Sequence, residues 1–193
     1  MIRKRLLAFA FLCFFAISAF AQKTALLIID IQYFYFPGGK TELVEPEKAA
    51  ENAKAILVAF RQKGNSVIHV RHIFEPGGNF NNRVEPIEGE AIFSKKAVNS
   101  FVGTDLKAHL DSLAVTEIVI CGMQTHMCVE AAVRAAVDFG YNVTLIDDAC
   151  ATRNLKWNDI EVPAKMVHAA TLSTLKSYCR IVTTSMYLEG MLK

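Results

Sequence analysis

Three residues of this chain carry side chains suited to acyl transfer, and each stands at the end of a run that reads as a β-strand. Cys128 follows the β-branched run Glu117-Ile118-Val119-Ile120 and the turn Cys121-Gly122-Met123-Gln124-Thr125-His126-Met127, and it opens an alanine-rich amphipathic stretch from Glu130 to Phe139. A thiol in the first turn of a helix feels unpaired N–H groups and the positive end of the dipole, which lower its pKa and favour thiolate. Asp30 ends the apolar run Leu26-Leu27-Ile28-Ile29, and Lys95 follows Ala91-Ile92-Phe93. In a parallel sheet such strand ends share one crevice. An aspartate base, a lysine counter-ion and a cysteine nucleophile together suit acyl transfer. The same residues have plainer uses: cysteine is among the most buried residue types, and Lys95 with Lys96 fits a solvated pair at a turn.

The elements that must position these groups alternate between strand and helix. Lys23 to Ile31 reads as a first strand, apolar on both faces as at the centre of a parallel sheet. Ala49, Ala53, Ile56, Leu57 and Phe60 recur at helical spacing between Glu45 and Lys63, and Gly64-Asn65 stops that helix. Ser66 to Val70 is a second strand and Ala91 to Phe93 a short third. Thr104 caps a helix through His109 to Leu113, and Glu117 to Cys121 is the fourth strand. Gly140 closes the helix after Cys128. Asn142 to Ile146 is the fifth strand, with Asp147-Asp148 at its end as strand terminus and loop cap. Pro163 starts a helix carrying His168, Leu172 and Leu175, and Arg180 to Thr183 is the last strand. This order predicts an α/β fold, a mostly parallel sheet with helices on both faces and right-handed crossovers.

Two segments read as loops around the strand ends. Tyr33-Phe34-Tyr35-Phe36-Pro37-Gly38-Gly39 is either a cover for the sheet edge or a wall of a substrate pocket. Phe74 to about Glu90 is long, polar and glycine-rich, a length that marks functional or disordered loops. Gln32, Phe36, Phe80 and Trp157 are taken as pocket residues. Trp157, the single tryptophan, sits in a loop where it suits a lid or a subunit contact.

The motifs Leu26-Leu27-Ile28-Ile29-Asp30-Ile31-Gln32, Phe93-Ser94-Lys95 with Phe101 beyond it, and Gly122-Met123-Gln124-Thr125-His126-Met127-Cys128-Val129 resemble the isochorismatase-like cysteine hydrolases. The resemblance extends over residues 24–188, including Asp148-Ala149-Cys150-Ala151-Thr152-Arg153 and Val182-Thr183-Thr184. It implies a three-layer, Rossmann-like α/β/α fold with six strands ordered 3-2-1-4-5-6, whose switch point sets Asp30 beside Cys128. It further implies Asp30, Lys95 and Cys128 as the catalytic set, with a cis peptide at Met123-Gln124 and an oxyanion hole from the backbone N–H groups of Gln124 and Cys128. Nicotinamidases, a metal-binding branch, carry an aspartate and histidines where this chain has Arg71, Ile73 and Asn79. His69 and His72 point to opposite faces of a strand, and His109, His126 and His168 lie on separate elements, so neither a metal nor another cofactor is expected. Members specialised for the isochorismate vinyl ether commonly lack the cysteine, so its presence favours hydrolysis of an amide, carbamoyl or lactam C–N bond in a small molecule. The alternatives are isochorismatase or nicotinamidase activity proper, or a pseudoenzyme that binds a small molecule without turnover.

Composition sets the compartment and the partners. With 193 residues, 52% of them hydrophobic, one domain with a sizeable core is expected. Arg3, Lys4 and Arg5 precede the apolar run Leu6 to Phe20, and Ala19-Phe20-Ala21 precedes Gln22. That pattern reads as a secretory signal over residues 1–21, cleaved after Ala21, with the hydrolase domain over 22–193 and an exported, periplasmic or secreted product. The apolar run is short for the ~20 residues of a membrane span, so no stable insertion is expected after cleavage, and the alternative is a retained amino-terminal anchor. Loss of residues 1–21 takes 21 basic against 19 acidic residues to 18 against 19, a formal charge of −1. No Lys/Arg cluster of the kind nucleic acid requires remains. Cys121, Cys128, Cys150 and Cys179 stay in the mature chain, mostly as reduced core thiols. The Trp157 loop and Met186-Tyr187-Leu188 offer apolar surface for a homo-oligomer.

Overall fold

A computed structural model describes residues 23–191; the expected signal segment 1–21 lies outside the described residues. Five helices and eight strands follow one another in the order β1 (Thr24–Ile29), α1 (Pro46–Gln62), β2 (Ser66–His72), β3 (Ala91–Lys95), α2 (Leu106–Ser112), β4 (Glu117–Met123), α3 (Glu130–Asp138), β5 (Asn142–Ala151), β6 (Leu155–Trp157), β7 (Ile160–Val162), α4 (Ala164–Leu175), β8 (Arg180–Val182) and α5 (Thr184–Met191). Six strands form one sheet in the order β3-β2-β1-β4-β5-β8, every neighbouring pair parallel. This is the expected strand order, with β8 in sixth place because the antiparallel hairpin β6–β7 intervenes.

The period-two alternation of β1 splits its side chains between two cores. Ala25, Leu27 and Ile29 join the cluster under α2, α3 and α4, whereas Leu26 and Ile28 join the cluster under α1 and α5. All five are fully buried, which explains why this stretch reads as unbroken apolar sequence. Helix α1 packs Ala49, Ala53, Ile56, Leu57 and Phe60 inward; burying side chains of the size of Ile56, Leu57 and Phe60 contributes about 1.5–3 kcal/mol each.

Three differences from the sequence expectation bear on the site. Strand β5 does not end before Asp147-Asp148; it continues to Ala151 after an irregularity in its pairing with β4. Asp148 is structural, accepting from both the backbone N–H and the hydroxyl of Thr184 at 2.8 and 2.7 Å. The segment after Thr152 is a hairpin rather than an open loop. Met186-Tyr187-Leu188 is helical, with Tyr187 stacked on Phe60 at 6.2 Å and Leu188 packed on the core, which leaves Met186 as the exposed member of the three. Among the described residues no helix is long and apolar enough to cross a membrane.

Candidate active site

Two backbone devices bring the ends of β1 and β4 together. Asp30 leaves β1 with φ +51°, a left-handed conformation that aspartate tolerates better than most residues, and its N–H donates to the Val70 carbonyl at 2.9 Å. Gly122 adopts φ +143° against β1, where a Cβ would come within 2.1 Å of the Ile29 carbonyl oxygen. Only glycine permits that approach. Beyond it the Met123-Gln124 peptide is cis, and Thr125–Val129 forms a single π-helical turn that runs into α3. Cys128 therefore sits in this turn, two residues before the first residue of α3. Thr125 donates its hydroxyl to the Ala151 carbonyl at 3.2 Å, and His126 Nδ1 lies 2.6 Å from the Thr152 hydroxyl, so the turn is pinned to β5.

Lys95, the last residue of β3, reaches across to both partners. Its Nζ lies 2.6 Å from Asp30 Oδ2 and donates to Cys128 Sγ at 3.2 Å, with the Ala97 carbonyl at 3.2 Å and His72 Nδ1 at 3.4 Å. Four acceptors thus surround an ammonium with three N–H groups. Asp30, Lys95 and Cys128 are 0%, 1% and 5% exposed, so the charges meet in a medium that screens them little. Burial raises the pKa of Asp30, opposed by Lys95. Burial, and then the charge of Asp30, push the Cys128 thiol up to about 12, opposed by Lys95. Enclosure of the sulfur beside a carboxylate thus acts against the lowering expected from the helix dipole.

The isochorismatase domain family matches residues 24–186. This chain belongs to the isochorismatase family. It is 44% identical over 178 residues to the uncharacterized isochorismatase family protein YddQ of Bacillus subtilis, spanning 86% of this chain and 99% of that protein. A crystal structure of an isochorismatase-family hydrolase from Oleispira antarctica superposes with a TM-score of 0.84 at 42% identity, covering 88% of this chain and 97% of that one. Maleamate amidohydrolase of Pseudomonas putida is 26% identical over 160 residues, 70% of this chain and 75% of that enzyme.

Within this isochorismatase-family site, three of the four side chains expected as pocket walls are engaged elsewhere and the fourth is exposed. The Gln32 amide is spent on the backbone: Nε2 donates to the His72 and Gly78 carbonyls at 2.9 and 2.6 Å, and Oε1 accepts from the His72 N–H at 2.8 Å. Gln32 thereby fixes the end of β2 and the following loop rather than a ligand. Phe36 packs into the core beneath α1, and Phe80 lies edge-on to His69, on the face of β2 away from His72. Trp157 is 74% exposed on the hairpin, opposite Ile160. Among the described residues, no hydrogen bond or ring contact joins any of the four to the three catalytic candidates.

Three other residues surround the centre. His72 ends β2 beside Lys95. Tyr35, buried in the turn after β1, accepts from Gln124 Nε2 at 3.4 Å; burial raises its pKa, the Gln124 bond opposes this, and the charges of Cys128 and Asp30 add to the rise. Arg153, exposed just past β5, acts electrostatically on Tyr35 and on His126. The available signal for Tyr35 was a hydroxyl within an aromatic run five residues after Asp30; for His72 it was an imidazole at a strand end pointing away from His69.

At the positions compared with the metal-binding branch, Arg71 bonds Ser94, Ile73 is exposed, and the Asn79 carbonyl accepts from the Tyr33 N–H. Among the described residues no group of three or more His, Cys, Asp or Glu side chains could hold a metal ion. Cys121, Cys128 and Cys150 are free and buried, and Cys179 is free and partly buried.

Proposed function

We propose that this isochorismatase-family hydrolase cleaves a C–N bond of a small-molecule amide, carbamoyl compound or lactam through a thioester on Cys128, with no metal in the route. The observation that carries the reading is the bridging position of Lys95, 2.6 Å from Asp30 and 3.2 Å from the Cys128 sulfur in a buried site. The amidohydrolase relative supports the choice of an amide.

Asp30 takes the thiol proton as sulfur attacks the carbonyl carbon, and its raised pKa brings it closer to that of the proton it must accept. Lys95 holds the compensating positive charge beside both groups. The oxyanion of the tetrahedral intermediate faces the backbone N–H groups of Gln124 and Cys128; losing one donor of this kind typically costs about 2.7–4 kcal/mol in the barrier. Collapse breaks the C–N bond, and the amine leaves with the proton held by Asp30. Water, deprotonated by Asp30, then attacks the thioester, releasing the acid and returning the proton to sulfur.

Ammonia or amine release from a panel of primary amides, carbamoyl compounds and lactams tests the proposal. The expected result is release that disappears in Cys128→Ala while the fold persists; release undiminished in that variant would refute it. Arg3–Arg5, the apolar run to Phe20 and Ala19-Phe20-Ala21 further support an exported enzyme beginning at Gln22. Amino-terminal sequencing of the protein from a periplasmic extract checks this, and an amino terminus at Met1 would contradict it.

A further inference from the structure

Two glutamine amides near the site are treated differently by the fold. All the polar atoms of the Gln32 amide are bonded to backbone, whereas Gln124, buried to within 5% of full enclosure, has a single partner. That partner is the Tyr35 hydroxyl, 3.4 Å from Nε2, and Gln124 Oε1 is buried with no donor among the described residues. A buried acceptor left unpaired costs about 1–3 kcal/mol, and such groups are few in folded proteins.

The pair has a property that does not depend on which way the amide is turned. With Nε2 at the tyrosine, the unspent groups are Gln124 Oε1, an acceptor, and the Tyr35 O–H, a donor. With the amide flipped, Tyr35 donates to Oε1, and the unspent groups are Nε2, a donor, and the Tyr35 oxygen, an acceptor. Either way at least one donor and one acceptor are left side by side, with a further N–H on Nε2, and a donor beside an acceptor is the complement of a carboxamide. The pair also stands in the right place. Gln124 is four residues before Cys128, at the cis Met123-Gln124 peptide, and Tyr35 lies in the short turn five residues after Asp30.

We propose that Tyr35 and Gln124 form the element that selects the substrate amide, accepting a hydrogen bond from its N–H and so favouring substrates with an N–H beside the carbonyl over esters and dialkylamides. This rests on Cys128 being the nucleophile, and it narrows the substrate class to amides and carbamoyl compounds that retain an N–H. A site that hydrogen-bonds a substrate group rejects analogues lacking it, because its own buried polar atoms are then left unpaired.

The test uses the full chain and two alkylating probes, 2-chloroacetamide and 2-chloro-N,N-dimethylacetamide, which differ in the N–H groups. Each rate of Cys128 alkylation is divided by the rate with a small free thiol, and Cys128→Ala supplies the background from the other cysteines. The expected result is a preference for the primary amide that falls about tenfold in Gln124→Met, the equivalent of a hydrogen bond near 1.4 kcal/mol, and falls by a smaller factor in Tyr35→Phe. A preference unchanged in both variants overturns the proposal; should Gln124→Met not fold, an unchanged preference in Tyr35→Phe overturns it alone. Alkylation as fast in Cys128→Ala as in the wild type would count instead against the nucleophile itself, so the two failures are distinguishable.

Discussion

The sheet carries two ionic clusters, one fully buried and one half-buried, and they behave in opposite ways. At the carboxyl ends of the strands, Asp30 meets Lys95 and the Cys128 thiol; elsewhere on β2, on its other face, Glu90 meets Arg61 and His69. Burial alone would raise the pKa of Glu90. Two contacts from Arg61 at 2.7 and 2.8 Å, the Ile87 N–H at 3.0 Å and His69 Nε2 at 2.8 Å instead hold it down to about 2. Asp30 lacks such a set of donors, and burial wins. A carboxylate saturated with donors is a fastening for the 82–90 segment; one left short of donors remains available to take a proton. The two differ in the number of donors and also in burial, for Asp30 is fully enclosed whereas Glu90 is half-buried.

Substitutions at the two clusters should therefore divide cleanly between activity and stability. Cys128→Ala is expected to have the largest effect, lowering amide turnover by roughly 10⁴-fold or more with little change in Tm, read by ammonia release and thermal unfolding. Lys95→Met should lower kcat/KM by roughly 10²- to 10⁴-fold, because Asp30 and the developing thiolate lose the shared cation. Glu90→Gln should do the reverse, costing about 1–3 kcal/mol of stability by denaturant unfolding while changing kcat/KM less than about threefold. A large activity loss with unchanged stability in Glu90→Gln would erase the distinction drawn here.

The pH dependence sharpens the comparison with a smaller effect. Glu90 moves from an unfolded value of 4.5 to about 2 when folded, so its contribution is present above about pH 4.5 and is lost as the pH falls toward 2. His69, lowered by burial against the opposing Glu90, adds acid lability of the same sign below its unfolded value of 6.5. In wild type the midpoint of acid unfolding should lie lower than in Glu90→Gln. Activity has another origin: Asp30 must be ionised to accept the thiol proton, so kcat/KM should fall on acidification at a pH above the ordinary carboxylate range, and this limb should be unmoved by Glu90→Gln.

The strand and helix order was legible because the apolar periodicity of β1, α1 and β4 is forced by burial on both faces of the sheet. The convergence of Asp30, Lys95 and Cys128 was legible from their places at strand ends together with the family resemblance, since the residues alone also fitted a core thiol and a solvated lysine pair. The walls were not, since beyond a strand end the direction of a side chain depends on the local turn. In the run Tyr33–Phe36 a short 3₁₀ turn sends Phe34 and Phe36 into the core and aims the Tyr35 hydroxyl at Gln124, and nothing in the spacing distinguishes the three rings. The backbone role of Gln32 is not legible because its partners, the His72 and Gly78 backbones, are 40 and 46 residues away. For Cys128 the dipole is local and visible in sequence, whereas its enclosure beside Asp30 is tertiary and is not.

The central claim is a covalent intermediate on Cys128, and acid quenching of the wild-type enzyme during turnover of its best amide, followed by peptide mass analysis, tests it most directly. The expected result is the mass of the acyl group on the peptide containing Cys128, absent from Cys128→Ala and lost on incubation with hydroxylamine. Continued amide turnover by Cys128→Ala, with no acyl mass on that peptide in the wild type, would contradict the account.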